Sequence, residues 1–150
     1  MKDQTNRLDI AILIAVNAHL GQMDKSGKPY ILHPLHLMNQ LMYDAELAII
    51  GVLHDVTEDS YMTTNDLKLY DFSDRVISAL ILLEHKKGQS YESYIEAICQ
   101  NKDAITVKRK DLEHNSDITR LKGITNKDLE RTKKYHKAFT RLGEARKQFL

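Results

Sequence analysis

The sequence predicts an all-α fold, a compact bundle of seven or eight helices. Apolar residues recur at spacings of three and four along most of the chain, the signature of helices with one buried face. Side chains suited to helix capping (Thr63, Ser73, Thr125) stand just before such runs. No segment sustains the alternation expected of a strand. The 150 residues fit a single domain, 1–150, around one core.

The first helix is expected from about Thr5 to Leu20, with Leu8, Ile12, Val16 and Leu20 inward and Ala11 and Ala15 broadening that face. Gly21 to Tyr30 holds two glycines and a proline and reads as a loop. A short helix follows from Pro34 to Met42, with proline in its first turn. Ala45 to about Thr57 is the most apolar helix, with Leu47, Ile50 and Leu53 inward. Thr63 and Asp66 form a capping arrangement for a brief helix. Ser73 caps the next, which carries Val76, Ile77, Leu80 and Ile81 and ends at Lys87-Gly88-Gln89. Tyr91 to Ile98 and Ala104 to about Asp117 are two further helices. Thr125 and Asp128 repeat the capping arrangement before a last helix from Asn126 to about Gln148.

Net charge is +1 with histidine neutral, which argues against a general binder of nucleic-acid polymers or anionic membranes. The longest unbroken apolar run, Ile10 to Val16, is far short of a membrane span. The opening Met1-Lys2-Asp3-Gln4 is polar and carries no signal-peptide pattern. Cys99 is the only cysteine, so neither an intramolecular disulfide nor a thiolate cluster forms. A reducing, cytoplasmic setting is the simplest reading. Nothing in the sequence opposes a homo-oligomer.

Three stretches carry groups able to bind a metal or move protons. His54-Asp55-Val56-Thr57-Glu58-Asp59 closes an apolar helix, where buried imidazole and carboxylate are costly unless something neutralises them. A divalent cation would do so. Gly21 through Pro34 combines glycines that let backbone amides approach an anion with Lys25 and Lys28, and sets His33 at a loop–helix junction. In Val107 through Asn115, Lys108, Asp111 and Asn115 line one helical stripe. Each stretch alone is also an ordinary surface pair, turn or solvated helix.

Together the three resemble the HD superfamily, and more closely the hydrolase domain of RelA/SpoT-type (p)ppGpp enzymes and the small stand-alone HD proteins related to it. The resemblance covers roughly Leu8 to Leu142. It runs through Ala18-His19-Leu20-Gly21-Gln22, Lys25-Ser26-Gly27-Lys28-Pro29-Tyr30-Ile31-Leu32-His33-Pro34, Leu53 through Asp59, and Val107-Lys108 through Asp111 to His114-Asn115. It implies that His33, His54, Asp55 and Asp111 are metal ligands. Glu58 and Asp59 would handle the attacking water, and Lys25, Tyr30, Lys108 and Asn115 would lie at the nucleotide. Two imidazoles and two carboxylates suit Mn²⁺ best, with Fe²⁺, Co²⁺ or Zn²⁺ as alternatives. The implied activity is metal-dependent hydrolysis of a small nucleotide, led by 3′-pyrophosphate removal from a (p)ppGpp-like alarmone. The alternatives are a phosphatase for another nucleotide (NADP-type, nucleoside monophosphate or signalling nucleotide) and a nucleotide-binding module without turnover. With no synthetase segment up to Leu150, degradation alone is expected.

Two positions depart from the family pattern: Asp24 and Leu112 stand where basic residues are usual, which lowers the positive charge expected near the nucleotide. His19 is expected to pack near the site, His36, His85 and His136 to be ordinary, and His114 to point away from the Asp111 stripe.

Overall fold

The computed structural model describes residues 7–150. The expected helix start at Thr5 and the polar opening Met1 to Gln4 lie outside the described residues. Among the described residues the regular structure is helical, with one isolated bridge between Met23 and Pro29. The helices are α1 (Leu8–Ala18), α2 (Leu32–Gln40), α3 (Ala45–Leu53), α4 (Val56–Asp59), α5 (Thr64–Lys68), α6 (Asp74–Leu83), α7 (Tyr91–Ile98), α8 (Lys102–Asn115) and α9 (Asn126–Arg146).

The expected helices all form, and one of them is broken in two. The helix expected over Ala45 to Thr57 stops at Leu53, and the chain restarts as the single turn α4 after His54 and Asp55. Neighbours on an unbroken helix point about 100° apart. Here Asp55 takes φ −105°, ψ 0°, and the break lets both side chains turn to one point. The helix expected from Pro34 begins at Leu32, so His33 lies inside the first turn of α2. Pro34 is tolerated there because N–H groups of a first turn lack intrahelical partners.

On α1 the buried face differs from the expected one. Ala11, Ile14 and Ala15 are buried, Leu8 and Ile12 are partly so, and Val16 and Leu20 are exposed. The helix is apolar nearly all round, so spacing alone could not choose a face. Its buried alanines, Ala11 and Ala15, let α1 pack closely on α3.

α3 is the central element, buried at every residue from Leu47 to Leu53. α1, α2, α6 and α8 all pack on it. Gly51 marks a close crossing with α2: a Cβ there would meet Leu41 Cδ1 at 3.0 Å and the α2 backbone at Met38 N at 3.4 Å. The α3 N-terminus is capped by Asp44, which accepts from Glu46 N and Leu47 N. Arg75 on α6 then ties three helices together, donating to Asp44 and Glu46 at α3 and to Asp103 at α8 at 2.8–2.9 Å. Both capping boxes form, Thr63 with Asp66 and Thr125 with Asp128, and Ser73 caps α6.

Candidate metal centre

Four side chains from three regions of the chain converge where the ends of α2 and α3 meet the middle of α8. His33 Nε2 is 2.9 Å from Asp111 Oδ1 and 3.9 Å from Asp55 Oδ2. His54 Nε2 is 2.9 Å from Asp55 Oδ2 and 3.5 Å from Asp111 Oδ1. His33, His54 and Asp111 are buried and offer ligand atoms within 4.8 Å of one another. Asp55 Oδ2 brings a fourth donor atom to the same point.

The protonation pattern fits a cation. His54 Nδ1 lies 2.7 Å from the Gly51 carbonyl, which only accepts, so Nδ1 carries the proton. Its Nε2 is buried with no hydrogen-bond partner, although two carboxylate oxygens face it. A bare nitrogen lone pair against carboxylate is repulsive. Either a proton or a metal ion must sit between. Burial alone would lower the His54 pKa, but Asp55 and Asp111 outweigh it and hold it well above the usual imidazole value. Burial likewise opposes ionisation of Asp111, yet Lys108 and the two imidazoles keep its carboxyl well below the usual range. Lys108 Nζ, 2.7 Å from Asp111 Oδ2, is the one lysine bonded to this pair of carboxylates among the described residues. With the His54 Nε2 unprotonated, the two carboxylates outnumber the single Lys108 charge, and a divalent cation in place of that proton would offset the difference.

No family model matches the chain. It is 32% identical over 124 residues to a GTP pyrophosphokinase of Myxococcus xanthus, a match covering 70% of this chain and 16% of that protein. It is also 32% identical over 128 residues to the bifunctional (p)ppGpp synthase/hydrolase SpoT of Escherichia coli (strain K12), covering 76% of this chain and 18% of that protein. The chain therefore spans less than a fifth of the length of the curated relatives it matches. Among solved structures, a metazoan ortholog of SpoT that hydrolyses ppGpp superposes with a TM-score of 0.74 at 18% identity, over 91% of this chain and 84% of that one. The chain belongs to the HD superfamily.

In this HD domain the remaining residues singled out from sequence fall into two groups. Around the carboxylates, Tyr30 donates its hydroxyl to Asp55 Oδ2 and sets its ring between those of His19 and His33. Asn115 donates to Asp111 Oδ1 at 2.8 Å. The Lys108 ammonium lies against Asp111 and over the Tyr94 ring. Glu58 and Asp59, on α4, stand at the rim. Glu58 accepts the His85 backbone N–H at 2.5 Å. Partial burial, reinforced by the charge of Asp55, raises the pKa of both.

Two recesses open beside this centre. One of about 210 Å³ is bordered by Asp55, Glu58, Lys108, Asp111, Tyr91 and Lys134. The other, of about 320 Å³, is bordered by Lys25, Ser26, Tyr30, Arg120, Arg131 and Asp24. Asn115 and Tyr135 border both. Lys25 comes from the loop pinned by the Met23–Pro29 bridge, where Gly27 takes φ +81°, a conformation that favours glycine. Asp24 holds that loop: its Oδ1 accepts from Ser26 N, Ser26 Oγ and Lys28 N at 2.8–2.9 Å. Its presence is thus explained by loop architecture. Leu112 is buried in the core.

Sequence reasoning misplaced His114. The side chain does not point away from the Asp111 stripe: its Nδ1 is 2.7 Å from His33 Nδ1. The signal was available, because residues three apart on a helix share a face and His114 follows Asp111 by three. Burial and the nearby Arg120 charge push its pKa down to about 3, so its ring stays neutral. His36 stacks on His114 at 3.9 Å. His85 stacks on Tyr94 at 4.6 Å besides bonding Glu58. His19 donates from Nδ1 to Gln22, whose amide in turn donates to the Asp59 carbonyl, bracing α4. Arg120, Arg131 and Lys134 were missed because they reach the recesses only through the packing of α8, α9 and the segment between them.

Proposed function

We propose that this HD domain hydrolyses a phosphoester of a small nucleotide, with release of pyrophosphate from the 3′ position of a (p)ppGpp-like guanosine nucleotide as the leading case. The convergence of two imidazoles and two carboxylates beside the acidic pair Glu58 and Asp59 carries this reading. The similarity to SpoT supports the choice of substrate class. His33, His54, Asp55 and Asp111 would hold the metal, with Mn²⁺ the first choice for this nitrogen–oxygen donor set. Such a cation supplies Lewis-acid polarisation of the phosphoryl group and makes water acidic enough to attack near neutral pH.

The chain's own groups supply the rest. Hydrolysis adds water across the bond between the 3′ oxygen and its phosphorus, so one proton leaves the water and one reaches the 3′ oxygen. Burial, reinforced by the charge of Asp55, raises the pKa of Glu58 and Asp59, which favours their taking up a proton from the water and returning one. The His85 N–H fixes the Glu58 carboxylate in place. Lys25, Arg120 and Arg131 face the larger recess and would neutralise phosphate charge, while Asn115 and Tyr135 stand between the two recesses.

A second reading draws on the carboxylates Asp24 and Asp117, which border the same recess as the cations. They favour a less highly charged nucleotide, such as a nucleoside monophosphate or an NADP-type cofactor. Mn²⁺-loaded protein assayed against a nucleotide panel, with separate phosphate and pyrophosphate readouts, decides. Pyrophosphate from guanosine 3′,5′-bis(diphosphate) is expected. Phosphate release from another nucleotide favours the second reading. Tight nucleotide binding with no turnover rejects both in favour of a sequestering module.

A further inference from the structure

His114 plays no part in the reaction outlined above, yet its ring touches the centre. With His114 Nδ1 and His33 Nδ1 2.7 Å apart, a single proton is shared between them. The far side of His33 presents Nε2 to Asp111 Oδ1 at 2.9 Å. Two neutral imidazoles carry two protons on four nitrogens, so two arrangements exist. In one the shared proton belongs to His114, and the second proton sits on His33 Nε2 and is donated to Asp111. No lone pair then faces the centre. In the other the shared proton belongs to His33, its Nε2 is bare, and His114 carries its own proton on Nε2. The proton count is the same in both, and only the second can accept a cation.

We propose that His114 is a positioning residue: by accepting the Nδ1 proton of His33, it holds His33 in the tautomer whose Nε2 can bind the metal. The inference rests on reading His33 as a ligand. The His114 ring is fixed for this task. It lies parallel to His33 within 4° and stacks on His36 at 3.9 Å, while its backbone carbonyl accepts from Arg120 Nη1 at 2.8 Å. His54 meets the same need with the Gly51 carbonyl. The two imidazoles therefore each have an acceptor for the Nδ1 proton, one from backbone and one from a side chain that can be replaced. Partners of this kind fix ring orientation and raise ligand basicity.

Zn²⁺ titration of metal-free protein against a chromophoric chelator tests this, with wild type, His114→Phe and His114→Gln compared and the metal-free melting temperature of each recorded. Phenylalanine keeps a ring against His36 and removes the acceptor. Glutamine returns an acceptor oxygen. His114→Phe is expected to lose about 10- to 100-fold in Zn²⁺ affinity, and His114→Gln to recover most of it, with metal-free melting temperatures near wild type. In ¹⁵N spectra of the Zn²⁺-loaded wild type, His33 Nδ1 should bear a proton and His114 Nδ1 should not. Wild-type affinity in His114→Phe overturns the proposal and leaves the centre standing. So does an equal loss in both variants that follows a fall in metal-free melting temperature. A wild-type protein that takes up no metal overturns the centre itself, and the proposal with it.

Discussion

Glu58 and Asp59 follow the His54–Asp55 pair on α4, so their carboxylates border the centre without filling a site that already has four donors. Glu58→Gln with Asp59→Asn keeps shape and polarity and removes proton transfer. The double variant should retain metal and nucleotide binding by isothermal titration while losing about 10²- to 10⁴-fold in kcat. Undiminished kcat in a single-turnover assay would remove both from the mechanism. Burial first, and then the charge of Asp55, raises the Glu58 pKa above its usual 4.5, despite the opposing His85 bond. If Glu58 is the base, kcat should fall as pH drops through that raised value, and this acid limb should vanish in Glu58→Gln. At this scale the sequence was legible where side chains act through local spacing. Lys108, Asp111 and Asn115 do form one bonded stripe. His114 was misread although its spacing of three from Asp111 sets it on the same face; what local spacing could not name was its partner His33, 81 residues away on α2.

Single helices were legible to within a few residues, since capping boxes and apolar spacing are local. Missed from the sequence were which face turns inward on α1, and that the helix from Ala45 stops at Leu53. Both follow from tertiary packing: small alanines against α3, and two polar neighbours forced to one point. Gly51 packs closely against α2 and its carbonyl orients His54. Gly51→Ala should therefore destabilise the fold by about 1–3 kcal/mol through overpacking, read by urea denaturation. Zn²⁺ affinity should fall with it. An unchanged denaturation midpoint would show that α2 yields easily. At the start of α3, burial would raise the Asp44 pKa, but its bonds to Arg75 and to the helix N–H groups lower it. A carboxylate with a depressed folded pKa contributes stability above its unfolded value near 3.8, and that stability is lost as pH falls through the folded value. Asparagine caps as well as aspartate and removes only the charge. Asp44→Asn should thus melt below wild type at pH 7, and the gap should close as pH drops below about 4. A gap that persists at pH 2 would assign the effect to packing.

The whole molecule brings the centre together from α2, the α3–α4 break and α8, elements that the resemblance identified as carrying ligands but that spacing alone could not bring together. A ligand bound only by the native state stabilises it, by about 2.7 kcal/mol at a hundredfold excess over Kd. Saturating Mn²⁺ should raise the melting temperature by roughly 5–10 °C for a chain of this size. His54→Ala and Asp111→Ala should abolish the rise, and His136→Ala should not. Equal shifts in all three would place the ion elsewhere.

His33 and Asp111 are 78 positions apart in the chain, and their meeting has a kinetic consequence. No fragment that lacks either α2 or α8 contains the centre, so during synthesis it assembles late, after α8 has emerged. The same separation makes an ion held there a cross-link between distant segments. Amide hydrogens on α2 and α8 should then exchange more slowly together on loading, as one cooperative unit. Spontaneous release of the ion should proceed at the rate at which that unit opens.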